Sequence, residues 1–83
     1  MSGAPPSDSE SGPLLDSRGR RCPLPVIDLA KVAASAASGT LITVLADDPA
    51  ARYDIPAWCR MRGHRLVEER TIDGVAAYLV RIS

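Results

Sequence analysis

The stretch RCPLPVIDLAKVAASAASGTLITVLADDP, residues 21–49, decides the fold. Its first half places Ile27, Ala30, Ala34 and Ala37 at helical spacing. Pro23 and Pro25 fit there, because the first-turn N–H groups of a helix lack intrahelical acceptors and proline is favoured at that end. The spacing predicts a helix over 23–37, ended by Gly39. LITVLA (41–46) is apolar, partly β-branched and too short for a globular helix. It reads as a strand buried on both faces or nearly so, stopped by Asp47-Asp48-Pro49.

Upstream, Leu14 and Leu15 begin a short strand, 13–17, that must stop at Gly19. Strand, crossover helix and strand should pair in parallel with a right-handed connection. Downstream, Asp48-Pro49 resembles the opening of a helix, but an interior Pro56 removes a backbone hydrogen bond. A loop or turn at 49–53 and a helix from about residue 54 to Met61 or Arg62, before Gly63, are therefore predicted. His64–Ile72 and Val75–Ile82 flank Asp73-Gly74, the dipeptide suited to a two-residue type I′ hairpin. In the second arm Ala76, Tyr78, Val80 and Ile82 share one face. The order β-α-β-α-β-β implies an α/β two-layer sandwich, with two helices packed on a mixed four-stranded sheet.

The 83 residues allow one small domain. By surface scaling a chain of this mass buries only about 60% of its unfolded surface, so the core is marginal. With 46% apolar residues, no Phe, one Trp and two Tyr, aliphatic side chains must fill it. Residues 1–12 are Ser, Gly, Pro and acidic, and read as a disordered tail preceding a domain at 13–83. Ten basic and ten acidic residues cancel. Leaving out the tail with Asp8 and Glu10 gives the folded part about +2, too little to imply a nucleic-acid or polyacid partner. The start lacks a basic and an apolar leader region, and no apolar run approaches the ~18 residues of a membrane span, so a cytoplasmic protein is expected. Two cysteines in a reducing compartment disfavour a structural disulfide, and a single His excludes a four-ligand Cys/His zinc site.

Cys22 carries the chemistry. With Pro23 as first helical residue, Cys22 becomes the N-cap and its sulfur lies at the positive helix end. Since Pro23 and Pro25 have no N–H, the Leu24 N–H is the expected donor to a thiolate, and Arg18, Arg20 and Arg21 add positive potential. A lowered thiol pKa follows. The prolines also hold the cap loop in one shape, as suits an exposed thiol handed between proteins. The alternative is a small, semi-buried residue at a helix start with no chemistry. A hydrolase site lacks a base, since the only imidazole is His64, far along the chain and expected to start a strand facing solvent.

Leu15-Asp16-x-x-Gly19-x-x-Cys22-Pro23-x-Pro25 resembles the signature of the TusA, or SirA-like, sulfur-carrier family. The likeness continues through Ala46-Asp47-Asp48-Pro49, Arg52, Asp54-Ile55-Pro56, Trp58-Cys59, Gly63-His64 and the final hairpin, covering about residues 14–83. The resemblance supports the two-layer sandwich. It implies a carrier that accepts sulfane sulfur as a persulfide on Cys22, from a cysteine desulfurase or a rhodanese, and passes it to an acceptor protein. Destinations in the family include tRNA thiolation, molybdenum-cofactor sulfur supply and sulfur trafficking, and the motif does not choose among them. Thiolate exchange needs no metal or cofactor in the carrier. One departure is Arg20, where the family usually has an apolar residue, which bears on partner choice.

Asp16 is expected to orient the loop around Gly19 and Cys22 by accepting backbone N–H bonds. Arg18, Arg20 and Arg21 are candidate docking residues. Asp47, Asp48 and Asp54 could form a carboxylate cluster for metal or acid-base work, but the first two flank Pro49 and cap a helix or turn, so structural capping is the preferred reading; Cys59, beside Trp58, reads as core. Arg60, Arg62, Arg65 and Arg70 read as a solvated face. Two other functions compete. One is an RNA- or protein-binding regulatory module with Cys22 only a cap, though the chain has few aromatics for base stacking. The other is a redox protein cycling Cys22 with Cys59, disfavoured by the absence of Cys-x-x-Cys. A carrier that docks alternately on two partners needs no stable self-interface, so a monomer is expected.

Overall fold

The computed structural model describes residues 12–83; the tail expected at 1–12 lies, except for Gly12, outside them. The elements run β1 (Leu14–Asp16), α1 (Leu24–Ala34), β2 (Leu41–Ala46), α2 (Ala51–Arg62), β3 (Arg65–Ile72) and β4 (Val75–Arg81). The sheet order is β1-β2-β4-β3. β1 pairs in parallel with β2, Leu15 opposite Val44, and the other two pairings are antiparallel. Flanking bonds from Thr43 N–H to the Pro13 carbonyl (3.0 Å) and from Ser17 N–H to the Leu45 carbonyl (2.8 Å) carry the β1 pairing across the predicted 13–17.

The sheet buries one face. Ile42, Val44 and Ala46 of β2 stand opposite Val80, Tyr78 and Ala76 of β4, and these pack with Leu29 of α1 and Ala51, Ile55, Trp58 and Cys59 of α2. β2, expected to be buried on both faces or nearly so, is buried on one and half-buried on the other, at Leu41, Thr43 and Leu45, because both helices cover the opposite face.

α1 ends at Ala34, short of the predicted Ala37. Ser35 and Ala36 N–H groups reach back only three residues, to the Val32 and Ala33 carbonyls. Beyond Ala33 no side chain larger than alanine anchors the helix to the sheet, and serine competes for backbone bonds. Gly39 (φ 91°) then turns the chain, its N–H bonding the Ile82 carbonyl at 2.6 Å.

Of the loop or turn expected at 49–53, Pro49 and Ala50 form a turn and residues 51–53 are corrected to helix. The helix starts at Ala51 and contains Pro56. One lost hydrogen bond at Pro56 is outweighed by the apolar stripe Ala51, Ile55, Trp58 and Cys59, which buries only if the helix is continuous. Its end is as expected: Gly63 takes φ 78°, and the Gly63 and His64 N–H groups bond the Arg60 and Cys59 carbonyls, a Schellman closure. The hairpin turns at Asp73 (φ 51°) and Gly74 (φ 80°), as a type I′ turn requires. A bulge between Leu66 and Glu68, which the sequence did not announce, leaves Val67 exposed.

His64 does not face solvent as expected. It is half-buried just before β3, its ring 5.0 Å from that of Trp58, and its Nδ1 accepts the Ser83 N–H at 3.1 Å. Its place is structural.

Candidate functional site: the Cys22 loop

Residues 17–22 cross from β1 to α1 over the ends of β2 and α2. A positive φ at Gly19 (82°) lets the loop turn, and its N–H donates to Asp47 Oδ1 at 2.9 Å. The next residue, Asp48, accepts the Cys22 N–H on Oδ2 at 2.5 Å and the Ala50 N–H on Oδ1 at 2.9 Å. Strand β2 thus ends in two carboxylates that hold the loop at both sides of Arg20-Arg21. The capping expected of Asp48 is present at Ala50; the reach to Cys22 was not foreseen. The Ala50 and Cys22 N–H bonds hold the Asp48 carboxyl below its usual range, the charge of Arg21 adding a smaller share.

Asp16 forms the expected turn, accepting the Arg18 N–H on Oδ1 at 3.1 Å. It does not reach Gly19 or Cys22, whose N–H groups belong to Asp47 and Asp48. The Arg18 guanidinium clamps the same carboxylate, Nε to Oδ1 at 2.8 Å and Nη2 to Oδ2 at 2.6 Å, and brings its pKa down to about 2.

Two residues that sequence reasoning missed complete the frame. Asp28 of α1 accepts the hydroxyl of the fully buried Ser17 at 3.1 Å and Arg20 Nε at 2.6 Å. Arg18 and Arg20 are therefore committed to Asp16 and Asp28, and the positive potential expected around the thiol is largely neutralised. Arg21 alone of the three makes no ion pair among the described residues.

The predicted cap geometry is corrected by one residue. α1 begins at Leu24 with Pro23 as the capping residue and no side-chain cap; the Cys22–Pro23 peptide is cis. The Leu24 N–H bonds the Arg21 carbonyl at 2.7 Å and is not available to sulfur. Pro25 is buried under the helix start. The Cys22 side chain is exposed, and its S–H donates to Asp54 Oδ2 of α2 at 2.8 Å. The expected lowering of its pKa is accordingly reversed. The Asp54 hydrogen bond, desolvation, and the charges of Asp54 and Asp48 push the thiol up. Cys59 is also pushed up, by burial, and is 2% exposed. Both thiols are free, and the core packing expected of Cys59 is what the structure has.

The outcome is an exposed cysteine in the lining of an open cleft of about 640 Å³, with Gly19, Arg20, Arg21, Asp47, Asp48 and Pro49 around it. The carboxylates have a signal in the sequence, in the Asp-Asp-Pro and Asp-Ile-Pro blocks, but their partners are distant in the chain and no local period reveals them. Asp28 and Ser17 carried no such signal.

Comparison with known proteins agrees in sequence and in shape. The chain is 41% identical over 68 residues to the protein named Sulfur carrier protein TusA of Pseudomonas paraeruginosa, covering 82% of this chain and 86% of that one. Its Pseudomonas putida counterpart, of the same name, is 38% identical with 82% and 85% covered. The crystal structure of a SirA-like protein from Desulfitobacterium hafniense superposes with a TM-score of 0.73 at 28% identity, covering 83% of this chain and 95% of that one. The two-layer arrangement of helices on a mixed sheet is common to both. The sequence model of the family described as Sulfurtransferase TusA matches residues 14–82, and the chain belongs to that family.

Proposed function

We propose that the protein is a sulfur carrier that takes sulfane sulfur as a persulfide on Cys22 and hands it to an acceptor protein. The observation that carries this reading is the exposed Cys22 sulfur, set by Asp48 and Asp54 at the start of α1 within the Cys-Pro-x-Pro motif. The names of the relatives support the carrier role.

In the transfer, the Cys22 sulfur attacks the outer sulfur of a donor persulfide. A new S–S bond forms on Cys22, the donor's S–S bond breaks with its electron pair on the donor cysteine, and the Cys22 proton ends on that sulfur. Nothing is oxidised or reduced overall. Handing on repeats the step with Cys22 as the leaving sulfur. The chain supplies access and fixed geometry; the donor class is a cysteine desulfurase or a rhodanese. Asp16, Gly19, Pro23, Leu24 and Pro25 shape the loop, and Arg21, the arginine left uncommitted, is the docking contact of the three. No helix among the described residues is long and apolar enough to cross a membrane. The proposed setting is a reducing cytoplasm, where Cys22 and Cys59 stay free thiols.

The test is intact-mass spectrometry after incubation with a cysteine desulfurase and cysteine, or with a rhodanese and thiosulfate. A reducible gain of ~32 Da, absent in Cys22→Ser, is expected for persulfide loading. No gain from either donor, with the protein folded, would favour the binding-module alternative.

A further inference from the structure

Asp54 has a position that neither capping nor packing requires. It lies in the first turn of α2, yet its carboxylate meets the sulfur of a residue before α1, 32 positions back in the chain, and not its own helix's N–H groups. We infer that Asp54 is a positioning residue that latches the empty carrier, its Oδ2 accepting the Cys22 S–H bond at 2.8 Å so that the sulfur stays a protonated, fixed thiol until a donor arrives. The inference rests on the reading of Cys22 as the sulfur-bearing residue.

The surroundings support it from each element that meets there. Asp48, at the end of β2, adds a second negative charge while fixing the Cys22 main chain. Asp47 is occupied with Gly19. In the loop, Arg20 is bound to Asp28, and Arg21, which lines the same cleft as Cys22, makes no ion pair among the described residues. A thiolate formed beside Asp54 would face two carboxylates and no paired cation, so the protonated form is favoured. On loading, the S–H bond to Asp54 is given up and the Cys22 proton ends on the donor's departing sulfur, as the exchange balance requires. The latch also makes the empty carrier slow towards stray electrophiles, which react with the thiolate.

The pH profile of iodoacetamide alkylation at Cys22 tests this in the full chain, without any sulfur donor. Asp54→Asn should move the midpoint to lower pH. A midpoint lower by about one pH unit raises the thiolate fraction about tenfold at pH 7 and lowers its intrinsic nucleophilicity about threefold, so alkylation there rises about threefold. Asp54→Glu keeps a carboxylate and should hold the midpoint near that of wild type. An unchanged or higher midpoint in Asp54→Asn overturns the latch, and so does an equal fall in both variants. Should Asp54→Asn not fold, wild type decides by carboxyl-carbon NMR. The Asp54 carboxyl resonance should inflect at the Cys22 midpoint and lose that inflection in Cys22→Ser; no inflection in wild type overturns the inference. Sulfur loading followed by mass on the same wild-type sample fails separately if the carrier reading is wrong.

Discussion

Cys22 and Cys59 are the same residue in two environments, and both thiols are pushed up by opposite means. Cys59 lies 2% exposed between α2 and the sheet, where removal from water alone disfavours charge. Cys22 is in solvent contact, and a carboxylate on α2 does the work. Burial cannot be undone without unfolding the domain, whereas a hydrogen bond at an exposed sulfur can yield to a partner. High thiol pKa in the core thus means inertness, and in the loop a state that can be released.

The largest effect that could break this contrast is all-or-none. Cys22→Ser should fold as wild type and take up no sulfur, leaving Cys59 unmodified; a sulfur adduct in that variant, mapped to Cys59 by peptide mass, would overturn the assignment of roles. Next comes protection. In native protein Cys59 should alkylate at least about a thousandfold more slowly than an unfolded thiol, because labelling needs an opening that costs several kcal/mol. Timed labelling with peptide mapping reads both cysteines in one sample, and comparable rates would end the comparison.

A smaller effect sharpens it. Cys59→Ala should cost about 1–2 kcal/mol by leaving a small void beside Ile55 and Trp58. That lowers the melting temperature by about 4–8 °C per kcal/mol in a domain this small, while sulfur loading persists. Loss of loading in a folded Cys59→Ala protein would give Cys59 a part in transfer. The smallest effect lies in the loop. Asp16 has a folded pKa of about 2 against a reference of 3.8. Its contribution to stability is full above the reference value and is lost as pH falls through the folded value. Urea midpoints of wild type and Asp16→Asn should differ at pH 5 and converge towards pH 2; because the pair is exposed, the difference is small.

Much of the fold was legible because each decisive signal was local. LITVLA was a strand by composition, Asp73-Gly74 a turn by its tolerance of positive φ, and β1-α1-β2 a parallel unit by connection length. Pro56 misled because its cost is local and the stripe that outweighs it is not. The site was legible in its nucleophile and illegible in its charge. Moving the helix start from Pro23 to Leu24 removes the Leu24 N–H from the sulfur, and the carboxylates that replace it come from residues 26 and 32 positions away. A sequence shows that Asp48 and Asp54 are acidic; only the packing of α2 against the sheet shows which atom they meet.

The sheet's two outer strands differ from its inner pair in a way that matters to a protein that must meet others briefly. β1 is three residues long, and β3 carries Glu68, Glu69 and Arg70 with a bulge at Val67. Short, charged or bent margins offer a poor template for strand addition. Margins of this kind let a sulfur carrier meet another protein without zipping its backbone onto that partner's, so an encounter can end with the carrier unchanged.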